Sequence, residues 1–203
     1  MNGAAIMYSR YLKRMFDILF AAMLLILLAP LFLILFIIVK WDSPGPFLFI
    51  QVRIGRHLKP FKIFKIRTMS AEAGIRANDP TITYETTKQN DPRITRSGKI
   101  LRKTHLDELP QLLNVIKGDM SFIGVRPDAP SQIADYDEVI WHKRHLMRPG
   151  ITGLSQIQSG NPNFNASART KFDLHYVGHN GKFVLDVYIV LKTIVKLLRV
   201  NGL

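Results

Sequence analysis

One apolar run constrains this chain more than any other feature of its sequence. Residues 18–39 read ILFAAMLLILLAPLFLILFIIV and contain no charged side chain. A continuous helix of 22 residues is about 33 Å long, which is enough to cross the hydrocarbon core of a bilayer. The run is too long for a cleavable signal peptide, and no small-residue cleavage pattern follows it. The sequence therefore predicts a helical segment inserted in a membrane.

Pro30 lies just past the middle of this run and predicts a break there, because proline removes a helical hydrogen bond and bends the helix. Basic residues lie on both sides of the run, so the positive-inside rule places both ends in the cytoplasm. A helix that turns at Ala29-Pro30 and returns satisfies both signals, whereas a single-pass anchor with a kink at Pro30 remains an equal alternative. The basic residues are Arg10, Lys13 and Arg14 before the run and Lys40, Arg53, Arg56 and Lys59 after it.

The charge of the chain is concentrated beside this segment. The net charge is +13, and residues 1–70 hold ten Lys or Arg against Asp17 and Asp42 alone. Such a balance suggests an anionic partner, which can be nucleic acid, a membrane surface or a phosphorylated substrate. Asp17 is costly inside hydrocarbon, so we expect it to pair with Lys13 or Arg14 at the interface. The chain has no cysteine, which excludes disulfides and thiolate chemistry.

A second stretch, RKTHLDELPQLLNVIKG, carries the candidate chemistry around Asp107 and Glu108. Proline is accepted in the first turn of a helix but not deeper, so Pro110 predicts a helix that starts near Asp107 and leaves Asp107 as the N-cap. Gly118 marks the end of the helix. One apolar stripe recurs at i, i+3, i+4 and i+7 and is predicted to face the core. Its members are Leu109, Leu112, Leu113 and Ile116.

An aspartate at an N-cap is often only a cap, contributing about 1 kcal/mol of stability. Here, however, Arg102 and Lys103 precede the acidic pair and Arg126 follows it, so acids and bases converge within 25 residues. The N-terminus of a helix itself favours anions. This combination points to a site that handles phosphate or another anion.

Two strands are predicted after the apolar run. PFLFIQVRIG and FKIFKIRTM are separated by a polar loop at Gly55 to Lys59, which is typical of a β-hairpin. Lys65 and Arg67 share one face of the second strand, where they are either solvated edge residues or phosphate contacts. The polar segment from Ser70 to Thr95 lacks a steady period and is predicted to be a loop or a weak helix that closes over a ligand or moves freely.

The C-terminal half alternates helical segments and loops. Asp128 to Met147 is predicted to be a helix, Leu154 to Gln158 a short strand, and Gly181 to Val200 an amphipathic helix. That last helix either lies in the membrane interface or packs on the first one. Its basic stripe is Lys192, Lys196 and Arg199. The histidine pairs have metal-like spacing, but no further ligand joins them, which argues against zinc. These pairs are His142 with His145 and His175 with His179.

The region DPRITRSGKILRKTHLDELPQLLNVIKGDMSFIGVRP, residues 91–127, resembles the signature region of the bacterial sugar transferases, the monotopic phosphoglycosyl transferases that act on polyprenol phosphate. The resemblance continues in the family's order over nearly the whole chain. It includes KRMFD (Lys13 to Asp17), QVRIG (Gln51 to Gly55), FKIFKIRTM (Phe61 to Met69) and RPGITG (Arg148 to Gly153).

This resemblance implies an α+β, mainly helical fold. A re-entrant membrane helix broken at Pro30 would occupy 1–42, and a cytosolic catalytic region on the membrane surface would occupy 43–203, with a small β-hairpin, a catalytic helix and amphipathic interfacial helices. The location implied is the cytoplasmic face of the bacterial inner membrane. Family members often have Ser before this proline, Pro-Arg-Pro near 126 and Trp near 154, where this chain has Ala29, Val125-Arg126-Pro127 and Leu154. These departures bear on topology and on sugar or base specificity.

The activity implied is transfer of a sugar-1-phosphate from a UDP-sugar to polyprenol (undecaprenyl) phosphate with release of UMP, at the start of surface polysaccharide or glycoconjugate synthesis. By resemblance, Asp107 attacks the phosphate that bears the sugar and forms a covalent aspartyl phosphosugar. Mg²⁺ is the cofactor implied, with Asp107 as its ligand, while Glu108 shares the metal or moves a proton. Arg102, Arg126, Arg148, Lys65 and Arg67 match the phosphate-binding positions.

The same residues imply the binding partners and bear on two alternative functions. The partners implied are a UDP-sugar, polyprenol phosphate and membrane lipids, with a homodimer left open and no nucleic acid expected. A glycosidase needs two carboxylates about 5 to 9.5 Å apart across the sugar, which neighbouring residues do not readily provide. A non-enzymatic membrane-tethered basic domain that binds anionic lipid or nucleic acid explains the charge, but not the acidic pair among arginines.

Overall fold

The computed structural model describes residues 11–76, 91–179 and 183–198. The described chain is mainly helical and carries two small two-stranded sheets, as the α+β prediction requires. Most of the polar segment predicted between Ser70 and Thr95 lies outside the described residues. Its first part forms α3 (Ala71–Arg76).

The apolar run forms two helices, α1 (Lys13–Leu27) and α2 (Ala29–Asp42), bent by 61° relative to each other. Pro30 lies in the first turn of α2, where a missing N–H costs no helical hydrogen bond. The predicted break at Pro30 is therefore confirmed. Within the described residues no single helix is long and apolar enough to cross a membrane, although the bent pair meets that test by length and composition.

The predicted β-hairpin is confirmed. β1 (Leu48–Ile54) pairs antiparallel with β2 (Pro60–Ile66), from Leu48 opposite Ile66 to Ile54 opposite Pro60. A 3₁₀ turn, Arg56–Leu58, connects the strands. Its residues His57 and Leu58 have φ values of 55° and 60°, which is uncommon for side chains other than Gly, Asn or Asp.

The helix predicted to start near Asp107 is shorter than expected, and a different face of it is buried. α4 (Arg96–Thr104) precedes a 3₁₀ turn, Leu106–Glu108, and the helix α5 (Gln111–Lys117) ends at Gly118, whose φ of 94° suits glycine. The predicted inward stripe is wrong in part, because Leu113 and Ile116 are 42% and 36% exposed. The buried residues of α5 are Gln111, Leu112, Asn114 and Val115.

The C-terminal half is built around a second, parallel pair of strands. β3 (Ser121–Ile123) pairs with β4 (Gly150–Thr152). The strand predicted from Leu154 to Gln158 is wrong, since that segment is the helix α7 (Leu154–Gln158) and the strand lies just before it. Helices α8 (Ala166–Gly178) and α9 (Phe183–Leu198) follow.

The single helix predicted from Asp128 to Met147 is divided. A 3₁₀ helix, Pro130–Asp135, comes first, and α6 (Glu138–Arg144) begins after Asp137. The Asp137 carboxylate accepts the N–H groups of Val139 and Ile140, which caps α6 and separates the two elements. The helix prediction is therefore right only for its last part.

A buried ionic network joins α6 and α8 to the chain that leaves β3. The guanidinium of Arg144 is fully buried between the carboxylates of Asp128 and Asp173. Arg169 lies 2.8 Å from the other oxygen of Asp128. Because each buried charge has an opposite partner, the desolvation cost is offset and the two helices are held in one geometry.

α1 and α9 are joined by a second buried pair. Lys13 Nζ lies 2.6 Å from Asp186 Oδ2, and Tyr176 of α8 donates its hydroxyl to Asp186 Oδ1 at 2.7 Å. The pairing predicted for Asp17 with Lys13 or Arg14 is wrong as a close contact in the described residues, although both positive charges act on Asp17. Asp17 instead accepts the N–H of Phe122 at 3.1 Å.

α9 presents two different surfaces. Asp186 and Ile189 are buried against the protein, and Lys196 Nζ donates to the carbonyl oxygens of Gln156 and Ser159. Arg199 of the predicted basic stripe lies outside the described residues. Most of the remaining large apolar side chains of α9 are exposed, as are most of those on α1 and α2. On α9 they include Phe183, Val184, Val187, Leu191, Val195 and Leu198.

Candidate active site

Asp107 and Glu108 lie in a 3₁₀ turn between two helices. α4 ends at His105, which adopts a left-handed conformation with φ of 57°, and the N–H of Glu108 donates to the His105 carbonyl. Pro110, not Asp107, is the N-cap of α5. The predicted N-cap role of Asp107 is therefore wrong, because the left-handed residue stops α4 and starts a separate turn that carries both acids.

The Asp107 carboxyl is enclosed without a fixed partner. Its residue is 8% exposed, and no group in the described part of the chain donates a hydrogen bond to it. Burial raises its pKa, the positive charge of Lys65 opposes that rise, and the negative charge of Glu108 adds to it. Asp107 thus combines a raised proton affinity with free oxygen lone pairs, which suits a nucleophile or a metal ligand.

Glu108 has the opposite character. Its Oε1 lies 2.8 Å from Lys65 Nζ of β2 and 3.6 Å from a guanidinium nitrogen of Arg126. Burial acts to raise its pKa, but the cations of Lys65 and Arg126 outweigh burial and lower the pKa to about 2. Glu108 is therefore held as a carboxylate that orients two cations.

Arg102 completes the cationic surroundings of Asp107. Its Nε donates to Thr68 Oγ1 at 2.8 Å, and its charge lowers the proton affinity of Asp107. The close approach of α4 to Thr68 depends on Gly98, where a Cβ would lie 2.1 Å from the Thr68 carbonyl oxygen. The structure thus gathers Lys65, Arg102 and Arg126 around the two carboxylates.

Two further residues from the predicted phosphate set lie elsewhere. The Arg67 guanidinium is buried and donates to the carbonyl oxygens of Ser43, Pro44 and Pro46 and to the Ser43 hydroxyl, so it fixes the turn between α2 and β1. Arg148 Nε donates to the Gly118 carbonyl at the C-terminal end of α5, the end opposite to Asp107. The structure therefore does not bring Arg67 and Arg148, both predicted to bind phosphate, together with the acidic pair.

Asn114 is a positioning residue that the sequence reasoning missed. Its side chain is fully buried, accepts the N–H of Phe64 at 3.0 Å and donates to the Lys62 carbonyl at 2.7 Å. It therefore joins α5 to the free edge of β2, the strand that carries Lys65. The signal was present in the sequence as a single amide inside the apolar run LLNVI.

A magnesium ion fits the donor set of this turn. Mg²⁺ is commonly held by one or two carboxylates together with substrate phosphates and waters, so a cluster of three protein ligands is not required. The described residues contain no group of three or more His, Asp or Glu side chains that would hold a metal by themselves. The open carboxylate of Asp107 is a suitable ligand, whereas Glu108 is engaged by Lys65.

The sequence was compared with known proteins. The family described as bacterial sugar transferase matches residues 8–200. The exopolysaccharide production protein PSS of Rhizobium leguminosarum bv. phaseoli is 45% identical over 193 residues, which cover 91% of this chain and 94% of that protein.

Two larger relatives have names that state an activity. The UDP-glucose:undecaprenyl-phosphate glucose-1-phosphate transferase of Escherichia coli (strain K12) is 39% identical over 93% of this chain and 40% of its own length. The undecaprenyl-phosphate galactose phosphotransferase of Salmonella typhimurium is 41% identical over 99% of this chain and 43% of its own length. This chain therefore spans about two fifths of these two relatives.

Proposed function

Because the chain belongs to the bacterial sugar transferase family and is a transferase, we propose that it moves a sugar-1-phosphate from a UDP-sugar to polyprenol phosphate and releases UMP. The activities named for the relatives of Escherichia coli and Salmonella typhimurium support this reaction. The observation that carries it is the turn at Asp107 and Glu108, where one carboxylate is free of hydrogen bonds among the described residues and the other is fixed by two cations.

In the first step, an oxygen of Asp107 attacks the phosphorus that bears the sugar. An O–P bond forms to the carboxylate as the bond to the UMP oxygen breaks, and UMP leaves with that electron pair. Attack of an anion on an anionic phosphate is slow unless positive charge neutralises the phosphate oxygens. Lys65 and Arg102, whose charges act on Asp107, are the residues suited to this task.

In the second step, a phosphate oxygen of polyprenol phosphate attacks the same phosphorus. The bond to Asp107 breaks, the carboxylate is regenerated, and the product is a polyprenyl diphosphate sugar. A covalent intermediate on a carboxylate divides one difficult transfer into two easier ones. This scheme needs no external oxidant or base, because the acceptor phosphate already carries negative charge.

Glu108 acts by orienting cations in this scheme. Its carboxylate keeps Lys65 on the side of β2 that faces the turn and holds Arg126 within reach of a bound diphosphate. A magnesium ion held by Asp107 supplies further neutralisation of phosphate charge when it is bound.

The exposed apolar surfaces support a reaction at the membrane. α1, α2 and α9 expose large apolar side chains that a purely aqueous environment does not favour. We propose that α1 and α2 form a re-entrant hairpin with both ends at the cytoplasmic face of the bacterial inner membrane, and that α9 lies in its interface. In this arrangement the lipid acceptor reaches the turn from the bilayer.

The test is trapping of the covalent intermediate. Purified protein is incubated with magnesium and each of a panel of UDP-sugars without acceptor, and the peptide that contains residue 107 is examined by mass spectrometry. We expect a phosphosugar adduct and stoichiometric UMP with one donor. Asp107→Asn should form neither, while Asp135→Asn, an exposed aspartate on a 3₁₀ helix, should behave as wild type.

The same variants separate the enzyme from a non-enzymatic lipid-binding domain. Asp107→Asn should bind membranes as wild type does, because the change lies in the turn and not in an apolar surface. If protein that turns over UDP-sugar and acceptor yields no adduct at residue 107, the covalent mechanism is wrong. If UMP release is unchanged in Asp107→Asn, the assignment of the site is wrong.

A further inference from the structure

Two arginines are anchored at the C-terminal end of α5, away from Asp107, and the charge of a third arginine acts on one of them. Arg14 of α1 donates to the carbonyl oxygens of Val115 and Ile116 at 2.7 and 3.0 Å, and Arg148 donates to the carbonyl oxygen of Gly118 at 2.8 Å. The third is Arg56, whose charge acts on Arg148. We call Arg14, Arg56 and Arg148 the arginine cluster.

Arg56 is brought to the cluster by the turn of the β-hairpin. The N–H of the next residue, His57, donates to the His145 carbonyl at 2.6 Å, which joins this turn to the segment that leads to Arg148. The Arg56 side chain is exposed. The pKa of Arg148 is lowered first by burial and then by the positive charges of Arg14 and Arg56, so both of these charges act on Arg148.

The positive charge of the cluster exceeds what the helix end requires. The C-terminal end of a helix carries roughly half a negative charge, and it gains at most about 1 kcal/mol from an exposed cation. Arg14 and Arg148 both donate to this helix end, and the charge of Arg56 acts on Arg148. In the described chain none of the three forms an ion pair with a carboxylate. Asp17 is the nearby acid that acts on Arg148. A surplus of positive charge therefore remains.

The guanidiniums also keep donors available. An arginine has five N–H donors, of which Arg14 uses two and Arg148 one in contacts with the described residues. Arginine donors match the oxygens of phosphate and bind them in pairs. Anchored guanidiniums lose little side-chain freedom when such a ligand binds.

The cluster lies where the apolar surface begins. Arg14 is in the first turn of α1, and the next residues of that helix expose large apolar side chains, among them Phe16, Leu19 and Phe20. Cations at the end of a membrane-inserted helix attract the anionic headgroups of lipids. If a lipid phosphate binds here, the hydrocarbon chain of that lipid would extend along the exposed apolar side chains of α1.

The cluster is also separate from the reacting carboxylate. α5, Gln111–Lys117, and the turn before it lie between them, and the seven residues of α5 alone rise by roughly 10 Å. A phosphate held by the cluster is therefore not the phosphate attached to Asp107. We propose that the arginine cluster binds the phosphate group of a membrane lipid, as a monoester or a diester, at a second site beyond the transfer site. This inference does not depend on the transfer reaction.

The test measures lipid retention by the full chain in neutral detergent, with no sugar donor present. Protein is equilibrated with mixed micelles that contain phosphatidylglycerol, polyprenol phosphate or, as a phosphate-free reference, dioleoylglycerol, and bound lipid is counted by native mass spectrometry. Wild type should retain at least one of the two phosphate lipids and not the reference. Arg56→Gln and Arg148→Gln should each weaken retention about tenfold, and Lys171→Gln, which removes an exposed cation on α8, should not.

Arg56→Gln is the decisive variant, because the Arg56 side chain is exposed and its replacement leaves the packed core unchanged. Unchanged thermal stability in this variant, together with lost retention, assigns the effect to binding. Wild-type retention in both arginine variants would overturn the proposal, as would an equal loss in Lys171→Gln. Displacement of the lipid by inorganic phosphate at equal concentration would also overturn it, because the site would then serve a soluble anion.

Discussion

Lys65 Nζ and Glu108 Oε1 lie 2.8 Å apart, and this contact joins the edge strand of the hairpin to the turn that carries both acids. The two side chains are 18% and 15% exposed, so the pair is shielded from water more than a surface ion pair is. This contact gives the two adjacent carboxylates different roles. Glu108 fixes the cation, and Asp107 is left open to react.

We expect Lys65→Met to reduce formation of the Asp107 adduct by about 100-fold or more. Removal of one fixed donor that stabilises transition-state charge typically costs 10²–10³ in rate. Glu108→Gln should cause a comparable loss, because its role is to hold Lys65. The double variant should then be little slower than either single variant, which a double-mutant cycle measures. Fully additive losses would instead assign Glu108 an independent role in proton transfer or metal binding.

Asp107→Asn should be more stable than wild type near neutral pH, although it is inactive. Burial raises the pKa of Asp107. Its favourable contribution to the free energy of unfolding is therefore complete below the ordinary aspartate pKa and is lost as the pH rises through the raised value. Above that value the folded protein holds a desolvated charge, which Asn removes. Thermal unfolding in detergent should show the difference shrinking toward about pH 4.

Asp135→Asn is the matched control and should not change the unfolding temperature at any pH in this range. Glu108, next to Asp107 in the chain, has its pKa lowered to about 2. Its favourable contribution to the free energy of unfolding is therefore present above the ordinary glutamate pKa and is lost only in strong acid. A neutral-pH unfolding temperature for Asp107→Asn below that of wild type would contradict the assignment of burial as the main influence on Asp107.

Asn114→Ala should destabilise the protein and slow adduct formation together. The change leaves the part-buried N–H of Phe64 and the carbonyl of Lys62 without their Asn114 partner, at a cost of about 1 kcal/mol for each lost hydrogen bond. It also loosens β2, which carries Lys65. The unfolding temperature should fall by several degrees, since about 1 kcal/mol corresponds to 2–4 °C in a chain of this size. Asn163→Ala, at an exposed loop position, should change neither quantity, and retention of full stability in Asn114→Ala would contradict the bridging role.

Local chemistry in the sequence predicted the local features of this fold. Proline chemistry predicted the break at Pro30, and glycine predicted the end of the helix at Gly118, because both act on their own backbone. The spacing of apolar residues did not predict correctly which side chains of α5 are buried. The seven residues of this helix are too few for one face to be distinguished from the next, and Leu113 and Ile116 are exposed although the pattern placed them inside.

Contacts between distant segments were beyond local reasoning. Lys13 and Asp186 are 173 positions apart, and the sequence suggested Asp17 as the nearer partner. Arg148 matched a phosphate-binding position, yet its place at the far end of α5 depends on how β4 pairs with β3. The gathering of Lys65, Arg102 and Arg126 around the acidic pair likewise depends on the hairpin packing against α5 through Asn114.

The buried pair of Lys13 and Asp186 should stabilise the packing of α1 against α9. Lys13→Met alone leaves the buried Asp186 carboxylate without its ammonium partner, and Asp186→Leu alone leaves a buried ammonium. Breaking one partner of such a pair typically costs about 3–5 kcal/mol, whereas replacing both by apolar residues is often nearly neutral. We therefore expect both single variants to unfold at a clearly lower temperature and the double variant to recover most of the loss. Lys171→Met, an exposed change on α8, serves as the control, and a double variant less stable than either single one would show that the charges themselves are required.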